Sequence, residues 1–548
     1  MRLASLKRWM PAWVPVWIPG IVFIGSNALS AALLLYAIAV QPALRNFLLF
    51  YSDNVTLAVY MESVLRGEAI SGFHYGTQGF FFTGYILYPI SYLLALAFPG
   101  DPFAASLIIK AILQVLCFNL AILYLACSVL RNKRRALYYA STSTLVLTLI
   151  LLLGQHLTLE GWFPTVLFLT STHHIGVAIG IPLFFAGVIN YFHSRKSGNL
   201  VFAVAISAVL WPTSGVWPIW FLIPFLLALT ILFVLNHIER KFYAIVTLCT
   251  ILSAVIGWAL NRAARQFFAV TNPGSFEFDR FQIGLRGFRA TLENVYLQNW
   301  PLTLALIIMA VLCCIGIFFL GKMLYQSSRL ESGNKSRRPT DSPLLLILTY
   351  SLLAGIIITL VAIFIGRADI MRYYSLFVVF SLFGMLPLFT LSVRKFQVAA
   401  GTIIALLGLA VATSPLYLMP ETPFSNPAEL RASDYVYQVA QKDLPGDFIG
   451  EFWTIVPVGL YTDALSSRIN PNLRLRPILQ NVDDADRVNV QNLIMVEGDS
   501  GMMRVLEGLP DYSSKHTFMA HINSNVKAPI IIYHWDEPVN QYLTVFDR

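Results

Sequence analysis

The chain has 548 residues, of which 57% are hydrophobic and 12% charged, and its mean hydropathy is +0.66. That balance excludes a soluble protein of ordinary size and makes lipid the solvent for most of the chain. The net charge of +9 does not signal nucleic acid, because the basic residues stand in short clusters between apolar runs, where they act as topology signals.

In chain order, Arg2, Lys7 and Arg8 precede an apolar run over residues 13–40. No small-residue cleavage site follows it, so a retained first span with a cytoplasmic N-terminus is expected. Basic clusters then stand at 131–135, 193–196, 239–241, 322–338 and 394–395. Between successive clusters lie two apolar runs each, turning at 155–172, 211–215, 262–300 and 367–374. By the positive-inside rule the clusters are cytoplasmic and the turns external. A last run at 397–418 carries the chain out again. With about 20 apolar residues needed per crossing, the expected fold class is a polytopic α-helical membrane protein of about 11 spans. Its first external loop is long, 41–101. Residues 80–98 are apolar enough to span, but a crossing there would put the 131–135 cluster outside. This segment, interrupted by Gly84 and Pro89, is expected to lie against or dip into the outer leaflet. The cysteines all fall in apolar stretches, and the adjacent pair Cys313 and Cys314 lacks metal-ligand spacing, so neither a disulfide framework nor a zinc site is expected.

The chain changes character after residue 418. An amphipathic helix is expected over 426–442, with strand-like runs at 448–452, 492–496, 530–533 and 542–546. The expected division is a membrane domain, 1–418, and a small external α/β domain, 419–548, which reads as a lid or acceptor-docking module.

Candidate chemistry collects on the external side. Asp53 opens a segment, 53–65, whose apolar residues recur at helical spacing, so an interfacial helix starting there is expected. A carboxylate at that place can take a proton from an acceptor hydroxyl, and it is also a good N-cap. Lys110 falls about two turns into a span, where a charge is a functional hypothesis with snorkelling as the alternative. Arg372, followed by Tyr373 and Tyr374, is an external arginine and runs against the positive-inside trend. The second external loop offers His156, Glu160, His173 and His174. Adjacent histidines on a helix point about 100° apart, so His173 and His174 do not readily ligate one metal, and Glu160 is the better second carboxylate. The large loop 262–300 carries Asp279, Arg280, Arg286 and Arg289 and has the length of a substrate cover. Trp211-Pro212 and Trp217-Pro218 read as helix ends and interfacial anchors.

This order of features resembles the GT-C superfamily of integral membrane glycosyltransferases, which includes the protein O-mannosyltransferases, the aminoarabinose transferases of lipid A and the oligosaccharyltransferases. Members have a first span, a long external loop whose early Asp heads a membrane-lying helix, aromatic and Pro-rich residues, a Gly-containing turn and a basic residue near the outer end of a span. The corresponding features here are Asp53, residues 85–92 with Pro89, residues 99–102 and Lys110, with Arg372-Tyr373 later at the head of a span. Asn54 stands where many members have Glu, and a single Pro89 where many have Pro-Pro. The resemblance implies a glycosyltransferase with Asp53 as general base and a sugar donor on polyprenyl phosphate or diphosphate, reacting with inversion. The donor phosphate would be bound by Arg372, Lys110, Tyr373 and Arg280, while Glu160, His173 and His174 would serve the acceptor or a metal. A divalent cation is compatible with these residues and not required by them. Partners would be the lipid-linked sugar, membrane lipid and a glycan, lipid or protein acceptor, in a bacterial inner membrane with the terminal domain in the periplasm. Two other readings stay open at this point: a transporter or flippase of lipid-linked saccharide, and a polysaccharide polymerase or ligase.

Overall fold

The computed structural model describes residues 17–40, 44, 48–49, 57–58, 61, 65, 74–75, 83–98, 102–154, 168–169, 173–214, 217–267, 269–270, 281–293, 297, 300–330, 342–364, 374–390, 439, 442, 444–450, 490–498, 500–523, 526–539 and 542. The helices are α1 (Ile18–Val40), α2 (Gly84–Ala95), α3 (Pro102–Leu130), α4 (Lys133–Leu153), α5 (His173–Ser194) and α6 (Ser197–Thr213). They continue as a π-helical turn (Pro218–Leu222) running into α7 (Ile223–Val234), then α8 (Arg240–Phe267), α9 (Phe281–Thr291), α10 (Trp300–Leu330), α11 (Ser342–Phe364) and α12 (Leu376–Met385), which tightens into a 3-10 turn (Leu386–Thr390). Seven of these helices are long and apolar enough to cross a membrane, and the chain is a polytopic helical membrane protein. The apolar runs expected from 13–40 through 374–393 all appear as helices, three of them shorter than a full crossing (Ser197–Thr213, Pro218–Val234 and Leu376–Thr390). The expected span 397–418 lies outside the described residues.

Many polar residues in the spans find a partner at helix spacing or across a helix pair. On α4 the hydroxyls of Ser141, Thr142 and Thr148 donate to carbonyls one turn back, at 2.7–2.9 Å. Between helices, Thr148 Oγ1 accepts from Ser30 Oγ of α1 at 2.6 Å, and Asn119 Nδ2 of α3 donates to Asn27 Oδ1 of α1 at 2.9 Å. Such bonds fix the register of helices that gain no hydrophobic driving force from meeting in lipid. Small residues set the closest approach. A Cβ on Gly384 of α12 would collide with the carbonyl oxygen of Leu312 of α10, and one on Gly316 would come within 2.9 Å of Gly384 Cα.

Segment 80–98 forms α2, whose 12 residues extend roughly 18 Å, too little for a core about 30 Å thick. It packs on the first part of α3, with Tyr92 5.2 Å from Phe103, and exposes Ile86, Ile90, Leu93 and Leu94.

Loop contacts sort onto two faces. On one, β1 (His74–Tyr75) of the first long loop pairs in parallel with β2 (Ala269–Val270) of the loop 262–300. On that same face α9 meets both ends of the 365–373 turn, through Phe281 against Phe364 at 5.0 Å and Phe288 against Tyr374 at 5.7 Å. On the other face Arg195 pairs with Glu239 at 2.7 Å, and Ser342 Oγ donates to the carbonyl of His237 at 2.9 Å. Three short turns there use left-handed residues, Arg131, Arg195 and Asn236. Every one of these contacts joins loops that the charge pattern assigns to the same side.

In the C-terminal part the strands β3 (Asp447–Gly450), β4 (Val490–Val496), β5 (Ser514–Asn523) and β6 (Val526–His534) form one sheet in the order β3-β4-β6-β5, with β3 parallel to β4 and the others antiparallel. A helix, α13 (Ser500–Glu507), completes the α/β character. Ile449, Leu493, Met495, Val505, Ile531 and Trp535 share a small core of their own. At one end of this sheet His534 Nδ1 meets Asn492 Oδ1 at 2.8 Å, and Asn492 Nδ2 donates to the carbonyl of Pro445 at 2.8 Å. That network closes the start of β3 onto β4 and β6. The expected helix at 426–442 lies almost wholly outside the described residues, as does the expected strand at 542–546.

Candidate functional site

The first turns of α3 carry a line of polar residues in an apolar helix: Ser106, Lys110 and Gln114, spaced i, i+4, i+8 and therefore on one face. All three are fully buried. Ser106 Oγ donates to Tyr88 Oη of α2 at 2.8 Å, so the helix of the first external loop seals this face from one side. Gln114 Nε2 donates to the carbonyl of Phe168 at 3.3 Å, and the Phe168 ring sits edge-on to Phe118 at 5.0 Å. Phe168 and Leu169, from the second external loop, are wholly buried, so that loop penetrates the bundle beside the same face of α3.

Lys110 is thus enclosed within the protein. A lysine inside a membrane span is rare and costly. Lys110 lies between Ser106, which bonds to Tyr88, and Gln114, which bonds to Phe168. Among the described residues it is the one Lys, Arg, Asp or Glu that is buried.

The second cationic element is α9. Its Arg286 and Arg289 are exposed, and Arg289 Nε pairs with Glu293 Oε1 at 2.9 Å. Its apolar residues Phe281 and Phe288 anchor it to α11 and to Tyr374, which is itself buried. The loop 262–300 is therefore pinned above the head of α12, immediately after Arg372-Tyr373 in the chain.

Asp53, Glu160, Asp279, Arg280, Arg372 and Tyr373 lie outside the described residues. In the expected interfacial helix the described residues Leu57, Ala58, Met61 and Leu65 are helical, with Leu57 and Ala58 buried and Leu65 exposed, while its start at Asp53 lies outside the described residues. His173 and His174 occupy the first turn of α5. Trp217 corrects an expectation: it is fully buried, stacks on Phe221 at 4.3 Å and donates from Nε1 to Ser207 Oγ at 3.2 Å, so it is a packing residue and not an interfacial anchor. The polar neighbours of Lys110 on α3, Ser106 and Gln114, and the buried Phe168 were not foreseen. The signal for two of them was present as a polar residue every fourth position in an otherwise apolar span. Phe168 gave none, because its role is a backbone carbonyl. Among the described residues no group of three or more His, Cys, Asp and Glu side chains is arranged to hold a metal ion.

No family model and no curated protein matches the chain. Among solved structures it is similar to ArnT from Cupriavidus metallidurans bound to undecaprenyl phosphate, at 12% identity and a TM-score of 0.46 over 94% of this chain and 98% of that one. It is also similar to the Archaeoglobus fulgidus oligosaccharyltransferase in complex with Zn and sulfate, at 14% identity and a TM-score of 0.38 over 84% of this chain and 67% of that one. At these TM-scores and identities neither likeness carries the site assignments, which rest on the residues themselves.

Proposed function

We propose that the chain is a membrane glycosyltransferase that moves a sugar from a polyprenyl-phosphate-linked donor to an acceptor hydroxyl on the external face. The observation that carries this reading is the fully buried Lys110, one helical turn from Ser106, which bonds to Tyr88 of α2, and one turn from Gln114, which bonds to the carbonyl of Phe168. A cation so placed favours the developing charge of a phosphate leaving group where water is scarce. Arg372, Tyr373 and Arg280 would share that phosphate from the other external loops.

Asp53 would act as general base. It takes the acceptor proton as the acceptor oxygen bonds to the anomeric carbon, the bond from that carbon to the phosphate oxygen breaks, and its electron pair stays on the phosphate. One displacement inverts the anomeric centre. Glu160, His173 and His174 would orient the acceptor or hold a divalent cation. The acceptor is a glycan, a lipid or a protein, and the membrane is a bacterial inner membrane with residues 419–548 as a periplasmic domain. Transport of a lipid-linked saccharide is less well supported, because a transporter distributes ionisable groups near the midplane of several spans. Here the described spans bury one.

The test is transfer of radiolabelled glycan from extracted polyprenyl-linked donors in membranes carrying the wild-type chain or Asp53→Ala at matched expression. The expected result is labelling that Asp53→Ala abolishes. Transfer that persists undiminished would leave Asp53 as a helix cap and remove the base from the mechanism.

A further inference from the structure

The face opposite the candidate site carries charge that its own residues do not balance. Residues 131–135, 195–196 and 239–241, at the turns between α3 and α4, α5 and α6, and α7 and α8, hold eight Lys and Arg side chains and one carboxylate, Glu239. During insertion the basic residues of each loop fix the side on which that loop stays. The fold then gathers three of these loops into one patch. Arg195 Nη2 meets Glu239 Oε2 at 2.7 Å and so joins the second turn to the third. The same guanidinium lies over the rings of Phe192 at 5.7 Å and Phe242 at 5.6 Å, so both helices hold the pair in place. Arg131 of the first turn stands within electrostatic reach of His193, in the last turn of α5.

That arrangement leaves Arg131, Lys133, Lys196, Arg240 and Lys241 exposed, with the one carboxylate already engaged. Like charges so placed repel one another, and an anion laid across the turns relieves the repulsion. The surface just inside the turns selects the kind of anion. Val201, one turn into α6, is 65% exposed, and Val234, which ends α7, is 69% exposed. Tyr243, stacked on Phe233 at 4.4 Å, lies one turn into α8, at the depth where tyrosines anchor to the headgroup region. A soluble anion meets only the cations. A phospholipid meets both layers, with its phosphate on the turns and its acyl chains along the exposed apolar residues.

We propose that this patch binds an anionic phospholipid, with the headgroup phosphate against Lys196, Arg240 and Lys241 and the acyl chains along the adjoining ends of α6 and α7. Clusters of Lys and Arg at a membrane surface attract anionic lipid in this way. The bound lipid ties the α5–α6 hairpin to the α7–α8 hairpin on the side away from Lys110. The assignment stands apart from the glycosyltransferase reading and does not depend on it.

The test titrates phosphatidylglycerol or phosphatidylcholine into the full chain in neutral detergent and reads bound lipid by native mass spectrometry. Wild type is expected to bind phosphatidylglycerol the more tightly. Lys196→Gln with Arg240→Gln should weaken that binding about thirtyfold, roughly a factor of five for each cation, and leave phosphatidylcholine unchanged. Lys442→Gln with Lys515→Gln, which removes the same charge from exposed positions in the C-terminal part, should leave both lipids unchanged. Glu239→Gln deletes the one carboxylate of the patch and should tighten phosphatidylglycerol binding. Should the first pair fail to fold, Lys133→Gln with Lys241→Gln carries the same test. Equal weakening by the patch pair and the C-terminal pair would reduce the effect to net charge, and no weakening by the patch pair would put the lipid elsewhere; either overturns the proposal. Glycerol phosphate that binds as tightly as phosphatidylglycerol would make the patch a site for a soluble phosphate and overturn it as well.

Discussion

Two glycines in contact with the same helices differ in what they tolerate. Gly384 faces the Leu312 carbonyl so closely that no side chain fits without moving α10 from α12, whereas Gly355 faces open space and ring edges. Overpacking a tight contact costs about 1–3 kcal/mol. Gly384→Ala is therefore expected to lower the unfolding temperature in detergent by several degrees and Gly355→Ala to leave it nearly unchanged, as read by thermal unfolding of the purified chain. Equal effects would show that α10 and α12 do not cross at this point. Lys110 illustrates the same dependence on surroundings. In sequence it is one lysine near a span end, and only the structure shows it fully buried, one turn from Ser106 and one turn from Gln114.

At the level of elements, the pairing of β1 with β2 ties two loops nearly two hundred residues apart in the chain. His74 and Ala269 are direct partners in the register, and strand neighbours have Cα separations suited to a disulfide, about 4.4–6.8 Å. His74→Cys with Ala269→Cys should form an intramolecular cross-link under mild oxidation, visible as a mobility shift lost on reduction. Failure to cross-link would separate the loops. The helical runs were legible in the sequence because lipid demands apolar length and basic clusters mark the turns, so α1, α3, α4, α5 and α8 appear where hydropathy puts them. The short α2 was legible by the same rule, since a crossing at 80–98 would have broken the charge alternation. Strand β5 was missed. Its polar Ser514, Lys515, His516 and Thr517 precede Phe518 and Met519, and its side chains alternate only between half-buried and exposed, so it never forms the apolar run by which β4 and β6 announce themselves. The amphipathic α9 was read as loop because its arginines and glycines mask Phe281 and Phe288, whose role is set by distant Phe364 and Tyr374.

Across the whole molecule, loops separate into two faces, and the side carrying β1, β2, α9 and the turn before Tyr374 is the side toward which Lys110 lies on α3. Residues far apart in sequence thereby share one side, with β1 paired to β2 and α9 against Tyr374, which is why no single stretch of sequence displays the site. The central claim is that the chain transfers a sugar from a lipid phosphate with Lys110 at the leaving group. The most direct measurement is kcat/KM for transfer from a radiolabelled polyprenyl-phosphate-linked donor by wild-type chain, Lys110→Met and Lys110→Arg, each purified and shown to unfold as wild type does. Loss of a group that stabilises developing charge costs about 100–1,000-fold in rate, so Lys110→Met is expected to fall by that much, with Lys110→Arg retaining a measurable part. Wild-type transfer by Lys110→Met would contradict the account.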